Sequence, residues 1–226
     1  MKRNFIFLAF ITLGTILLIS NACKKEEEPE IVIDIDGNQY HVITIGTQDW
    51  LVENLKVTHY RNGDGIDPVT DNAAWEALTT GAYSNYANDA SSNTTYGRLY
   101  NFHAVADVRN IAPTGWHVAT QNEWEILIAH LGGSFTAGGK LKETGTTHWL
   151  TPNTDATNSS GFTALPGGFR NYGGGYEDVR INGGWWTSTA QNVEDAWTYY
   201  LNYQTADVYT YLDPKRTGRS VRCVRD

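Results

Sequence analysis

Cysteine is almost missing from this chain: 226 residues contain two, Cys23 and Cys223. A disulfide framework is therefore excluded as the source of stability, and the fold has to hold by core packing. Basic residues are also outnumbered, with 17 Lys and Arg against 25 Asp and Glu and a formal net charge of −8. That balance argues against nucleic acid and against anionic lipid headgroups as partners. No apolar run reaches the roughly 20 residues that span a bilayer. There is no long internal repeat. None of the six histidines (41, 59, 103, 117, 130 and 148) lies in a GxSxG or HExxH context, so no hydrolase triad or zinc-protease helix is legible. His117 and His103 read as structural side chains.

What is present begins at the N-terminus. Lys2 and Arg3 precede an almost wholly apolar stretch, Phe5 to Ile19, which ends in Ser20-Asn21-Ala22-Cys23. A basic start, a short apolar core and small residues before the cut make a secretory signal peptide, and a cysteine at the cut makes it a bacterial lipoprotein signal. Residues 1–22 are thus expected to be removed and Cys23 to carry acyl chains, which anchor the protein to a membrane. A transmembrane helix and ordinary cleavage with a free Cys23 are the competing readings. Lys24-Lys25-Glu26-Glu27-Glu28-Pro29-Glu30 reads as a charged tether over residues 23–30. A charged stretch so placed resembles the surface-export signal of Bacteroidota lipoproteins. The expected location is the outer membrane, surface-exposed, with the periplasmic face as the alternative.

Residues 31–226 suit one domain. Eight Trp, 13 Tyr and 22 Gly favour strands, turns and aromatic surfaces over a helical bundle. Alternation predicts a hairpin, Ile31–Ile35 and Gln39–Ile45, around Asp36-Gly37-Asn38. Asp71 is placed to cap a short helix through Trp75 and Leu78. The clearest helix opens at Thr120, where Thr120 and Glu123 form a capping box; Trp124, Leu127, Ile128 and Leu131 repeat on one face, and Gly132-Gly133 ends it. A short helix is expected around Ala137 to Glu143. Short aromatic strands follow at Trp185 to Ser188, Ala196 to Tyr203, Val208 to Leu212 and Ser220 to Val224. Cys223, flanked by Val221 and Val224, reads as a small core residue.

The order of segments is itself a pattern. WLVENL (50–55), YGRLYNFHAV (96–105), APTGWHVATQNEWEIL (112–127), LGG (131–133), SGFTALPGGFR (160–170), GGWWTST (183–189), AWTYYL (196–201) and GRSVRCVRD (218–226) follow in turn. Over about residues 38–226 the chain resembles the major paralogous domain family first noted in Fibrobacter succinogenes. That family is similar to the formylglycine-generating, sulfatase-modifying domain and, more distantly, to C-type lectin-like domains. The resemblance implies an α+β fold with a twisted antiparallel sheet, few helices and long irregular loops, its terminal strand pairing near the N-terminal ones. Formylglycine-generating chemistry needs a pair of active-site cysteines, and this chain offers only Cys223, so the resemblance carries the scaffold and not that catalysis.

Two candidate sites remain. Asn62, Asp64 and Asp67 place oxygen ligands in a glycine-rich loop and form a weak Ca²⁺ candidate, as do Asp34, Asp36 and Asn38 in the hairpin turn. Neither matches the twelve-residue loop that closes on a bidentate Glu, and Asx-rich turns commonly bond their own backbone. The Glu-Pro-Asn and Gln-Pro-Asp tripeptides of sugar-bound calcium in C-type lectins are absent. The second candidate is an aromatic, glycine-rich surface between residues 166 and 212, with Tyr172, Tyr176, Arg180 and Trp186 as its best members and Tyr199, Tyr200, Tyr203, Tyr209 and Tyr211 near in sequence. If Trp185 and Trp186 share a strand, one faces the core and the other faces out. The competing reading is that these aromatics only fill the core. The expected function is a non-catalytic binding or adhesion module for a glycan or a surface protein; the alternatives are an envelope enzyme acting on polysaccharide and a structural surface protein without a specific ligand. Cys23→Ala should abolish acylation and release the protein from membranes. A variant that still pellets with membranes and still labels with a palmitate analogue would overturn the anchor.

Overall fold

The structure, a computed structural model, describes residues 30–226 together with Met1. The signal segment, Cys23 and the charged tether as far as Pro29 lie outside the described residues. The architecture is α+β, rich in strands and poor in helix. Along the chain come β1 (Ile31–Ile33), β2 (Gln39–Ile45), β3 (Gln48–Leu51), β4 (Asp67–Pro68), α1 (Asn72–Glu76), β5 (Ala82–Ser84), α2 (Ala90–Tyr96), β6 (Leu99–Tyr100), α3 (Phe102–Val105), β7 (Trp116–Val118), α4 (Gln121–His130) and α5 (Ser134–Leu141). Then follow β8 (Gly167–Arg170), β9 (Tyr176–Val179), β10 (Asn182–Ala190), β11 (Asp195–Asn202), β12 (Val208–Pro214), β13 (Ser220–Val221) and β14 (Cys223–Arg225). No described helix is long and apolar enough to cross a membrane.

Two larger sheets carry the fold. One is antiparallel throughout, in the order β1-β2-β3-β14-β7; the other runs β12-β11-β10-β8-β9, with β13 parallel to β10. The first hairpin forms, but β1 ends at Ile33 and not at Ile35, with Ile33 opposite Gln39. Its turn is held by one carboxylate: Asp34 accepts from the backbone N–H of Asp36 and Asn38, from the Asn38 amide and from the Tyr40 hydroxyl at 2.6 Å. The terminal strand returns to the N-terminal ones, as the resemblance implies, with Val224 opposite Trp50. It is not one strand from Ser220 to Val224. Ser220–Val221 belongs to one sheet and Cys223–Arg225 to the other, so the chain changes sheet at Arg222.

The core is double. One cluster gathers Trp186, Tyr100, Phe102, Trp116, Val221 and Cys223; the other gathers Trp185, Trp50, Trp124, Leu127, Phe162, Tyr199 and Val224. Strand β10 lies between them, so successive side chains enter opposite cores. This corrects the expectation for Trp186. It has no exposed surface, donates its indole N–H to the Tyr100 carbonyl at 2.8 Å, and packs edge-on to Phe102 at 5.3 Å. Both faces of the strand are covered here, which leaves no outward position. Cys223 is buried and free, and burial holds its thiol well above the usual range.

The main helix bears out its capping box: Thr120 Oγ1 accepts from the Glu123 N–H, while Glu123 accepts from the Thr120 N–H at 2.7 Å. Its apolar face meets the second core, where the Trp124 ring stacks on Tyr199 at 5.2 Å and meets Trp50 edge-on at 5.2 Å. The next helix starts and stops earlier than expected, at Ser134 and Leu141. Gly138 and Gly139 lie where neighbouring backbone passes: a Cβ on either would stand 2.5 Å from the Asp207 or Asp155 carbonyl oxygen. Lys142 then leaves the helix in an extended conformation. Leu127 is fully buried, and Leu127→Ala should cost about 2–5 kcal/mol in a denaturant melt. A loss below about 1 kcal/mol would mean that this face does not seat the helix.

Candidate functional site

The first core covers only part of the sheet face on which Trp186 lies. Register places Thr198 opposite Trp186 and Tyr211, and Tyr200 opposite Gly184 and Tyr209. Toward the Ala196 and Thr198 end this face is buried; toward Tyr200 and Asn202 it opens to solvent. There the rings of Tyr200 and Tyr209 stack across the strands at 4.9 Å and 14°, and Tyr211 meets Tyr200 edge-on at 6.3 Å. Such cross-strand aromatic pairs stiffen a sheet face. Burial, together with the neighbouring Tyr209 and Tyr211, keeps the Tyr200 hydroxyl protonated beyond its usual range.

Arg219 enters this face through Gly184. A Cβ on Gly184 would lie 2.8 Å from Arg219 Nη1, so the glycine makes the room for the guanidinium. Its Nε donates to Asp213 Oδ2 at 2.9 Å, the same oxygen that accepts from the Thr198 hydroxyl at 3.0 Å. The guanidinium lies over the Phe169 ring, 4.2 Å from its centroid. On either side the surface is hollow. A groove of about 800 Å³ is lined by Asn72, Asn171, Tyr172, Glu177 and Thr217 among others; a second hollow of about 300 Å³ is lined by Asp178, Asn182, Tyr200 and Asn202. Phe169, Tyr211 and Arg219 line both, so the two hollows are lobes of one groove that meet at a saddle.

Of the four expected surface residues, only Tyr172 lines this groove, at the tip of the β8–β9 hairpin and 54% exposed. Tyr176 is half-buried: its hydroxyl bonds Asn88 Oδ1 at 2.7 Å and its ring covers the buried Arg170 guanidinium at 4.9 Å. Arg180 is exposed, but it stands roughly 13 Å of strand from Tyr176 at the far end of the hairpin, where its backbone bonds Pro166 and Leu150. Trp186 is interior. The residues that sequence reasoning missed are Phe169, Asn182, Asn202, Asp213 and Arg219. One signal for the strand itself was present: Tyr209, Tyr211 and Asp213 alternate, which puts them on one face.

The calcium candidates do not converge. Asn62 and Asp64 bond each other in an Asx turn, and Asp64 is also paired with Arg109 at 3.0 Å. Asp67 begins β4, opposite Ala82. Asp34 is spent on its own turn, and Asp36 bonds Thr58 and His59. Among the described residues, no group of three or more His, Cys, Asp or Glu side chains is placed to hold a metal ion.

The segments in which the resemblance was read are mostly interior. Arg222, in the last of them, reaches Asn54 of the first and Phe162 of the fifth. A family model described as the Fibrobacter succinogenes major domain matches residues 43–225. The chain belongs to the Fibrobacter succinogenes major domain family. That family has no assigned function. No curated protein and no solved structure matches the chain, so the likeness of the Fibrobacter succinogenes major domain to lectin-like and sulfatase-modifying folds rests on sequence resemblance alone.

His117, in the GWHV segment of this domain, joins β7 to the start of α4 and to the residue after β14. Its Nε2 meets Glu123 of the capping box at 2.7 Å and its Nδ1 meets Asp226 at 2.8 Å. Partial burial alone lowers the imidazole, and the hydrogen bonds to Asp226 and Glu123 overcome it, so the ring titrates above its ordinary 6.5. A His whose folded value is raised stabilises fully below the unfolded value and loses that contribution as pH rises through the folded value. The stability gap between wild type and His117→Gln should therefore be widest below pH 6.5 and shrink above it. Denaturant midpoints at acid and alkaline pH measure it; a gap independent of pH would contradict the clamp.

Proposed function

We propose that this chain is a lipid-anchored, non-catalytic binding module of the outer membrane, which holds a glycan or protein ligand in the groove on the β8–β12 sheet face. The observation that carries the reading is the groove floor. Tyr200, Tyr211 and Phe169 stand on strands, and Tyr172 at a tight hairpin tip, so their area is offered at low entropic cost. Tyr172 and Tyr211 are more than half exposed with no core to fill, and exposed rings grouped at a concave surface suit recognition. The carboxylates around them already have local partners: Asp213 holds Arg219 and Thr198, Glu177 accepts from Asn171, and Asp178 accepts from Asn182. These bonds fix the acids in place, and the rings supply most of the contact area. The anchor rests on the signal pattern at residues 1–23 and the location on the charged stretch at residues 24–30.

The test is an array of glycans and envelope proteins probed with the full-length protein, with and without Ca²⁺. Any ligand found is then offered to a Tyr172→Ala/Tyr211→Ala double variant. Exposed positions of this kind change stability by only about 0.5 kcal/mol, so the melting temperature should hold while the ligand is lost. Undiminished binding by the double variant would move the site elsewhere.

A further inference from the structure

The saddle of the groove has a chemistry of its own. Arg219 is only 8% exposed, yet its hydrogen bonding is incomplete. Nε is bound to Asp213; among the described residues the two terminal nitrogens have no hydrogen-bond partner. The guanidinium is fixed on every other side, by Phe169 beneath it, Gly184 behind it and Asp213 at its edge. What remains open to it is the groove, both of whose lobes it lines. Those donors face the groove, where a ligand hydroxyl can accept from them in place of water.

We infer that this saddle is a subsite for one pyranose ring of a neutral glycan, gripped by Arg219 and Asp213 and stacked on Tyr211. The inference rests on the binding reading of the groove. A hydroxyl both donates and accepts, so two neighbouring ring hydroxyls satisfy a guanidinium and a carboxylate at once, through charge-assisted bonds. Tyr211 supplies the platform: its ring is 58% exposed and stands steeply to Tyr200, so floor and wall form a corner. The apolar face of a sugar ring buries area against such a ring at little entropic cost. The second lobe continues the pattern. Asn202 donates to Asn182 at 2.7 Å and Asn182 to Asp178 at 2.5 Å, a polar row suited to the hydroxyls of the next ring. A groove of this size accommodates a short oligosaccharide.

Charge decides against an ionic ligand. Glu177, Asp178 and Asp213 line the groove against the single guanidinium of Arg219, and the whole chain is acidic. An anionic sugar or a phosphate would meet three carboxylates; a cationic peptide would meet the unpaired edge of Arg219. Like charges brought together at the saddle suppress such partners. A neutral, hydroxyl-rich ligand meets neither cost.

The experiment titrates the full-length protein, in a detergent without a sugar headgroup, with cellohexaose, xylohexaose, mannohexaose and chitohexaose. Hexagalacturonate and hexalysine are the charged controls. At least one neutral hexamer should bind. Tyr211→Ala and Arg219→Lys should each weaken it by about tenfold or more, because a lysine keeps the charge toward Asp213 but loses the planar fork of donors. Melting temperatures near wild type would show that both variants are folded. Binding of only a charged hexamer, of none of the neutral ones, or equally by wild type and both variants would overturn the subsite. A protein ligand abolished by Tyr172→Ala/Tyr211→Ala, with no sugar bound, would overturn the subsite and leave the binding groove standing. Insensitivity of every ligand to the groove variants would overturn both.

Discussion

The molecule depends on one buried guanidinium. Arg222 sits where the chain passes from one sheet to the other, fully enclosed, between Ser220–Val221 and Cys223–Arg225. Its Nε donates to Asn54 Oδ1 at 2.7 Å; its terminal nitrogens reach the carbonyls of Leu51, Phe162 and Thr163; its plane covers the Phe162 ring at 4.3 Å. Asn54 Oδ1 also accepts the Trp185 indole N–H at 2.8 Å, and its amide nitrogen donates to the Tyr96 carbonyl. Residues far apart in sequence thus share one charge. Among the described residues no carboxylate pairs with it directly. Backbone dipoles do, and burial still draws the guanidinium down to about 9, above neutral pH.

The same device recurs where loops meet. Arg170, equally enclosed, gathers carbonyls of Val69, Thr70, Asp71 and Gly174 and lies between the rings of Trp75 and Tyr176. Lys142 gathers those of Thr154, Asn202 and Thr205, and burial lowers its ammonium to about 8. A fold this rich in irregular chain leaves many carbonyls without a ladder partner, and each must be satisfied if it is buried. A cation that takes several at once meets that need, and it fixes the loops relative to the sheets. The groove inherits this rigidity. Arg170 holds the hairpin that presents Tyr172, and Lys142 bonds the Asn202 carbonyl at the end of β11. Arg219 differs from the three in keeping donors open on the surface.

This division explains what the sequence discloses. The Thr120 capping box, the Asp71 cap and the Asp36-Gly37-Asn38 turn are local, and the structure has them where the pattern puts them. Trp186 was misplaced because the cover on its strand comes from Tyr100 and Phe102, some 85 residues earlier. No local pattern reports that distant cover. Arg170 and Arg222 gave no sign of their role because their acceptors are mainly backbone carbonyls, which have no residue signature. Tyr176 and Arg180 sit close to Tyr172 in sequence, but the Tyr176 ring turns onto Arg170 and Arg180 lies past the end of β9, outside the groove. Tyr172, at a glycine-rich hairpin tip, was legible because a tip side chain has little to pack against.

The clamp at Arg222 is tested most directly by Arg222→Met, which keeps the volume and removes the charge. The variant takes this donor from the carbonyls of Leu51, Phe162 and Thr163 and leaves Asn54 Oδ1 with the Trp185 indole alone. Denaturant unfolding should show a loss of about 3–5 kcal/mol, from buried acceptors left unmet at about 1–3 kcal/mol each. A loss below about 1 kcal/mol would mean that the acceptors find other partners and that the sheets are joined by apolar packing alone.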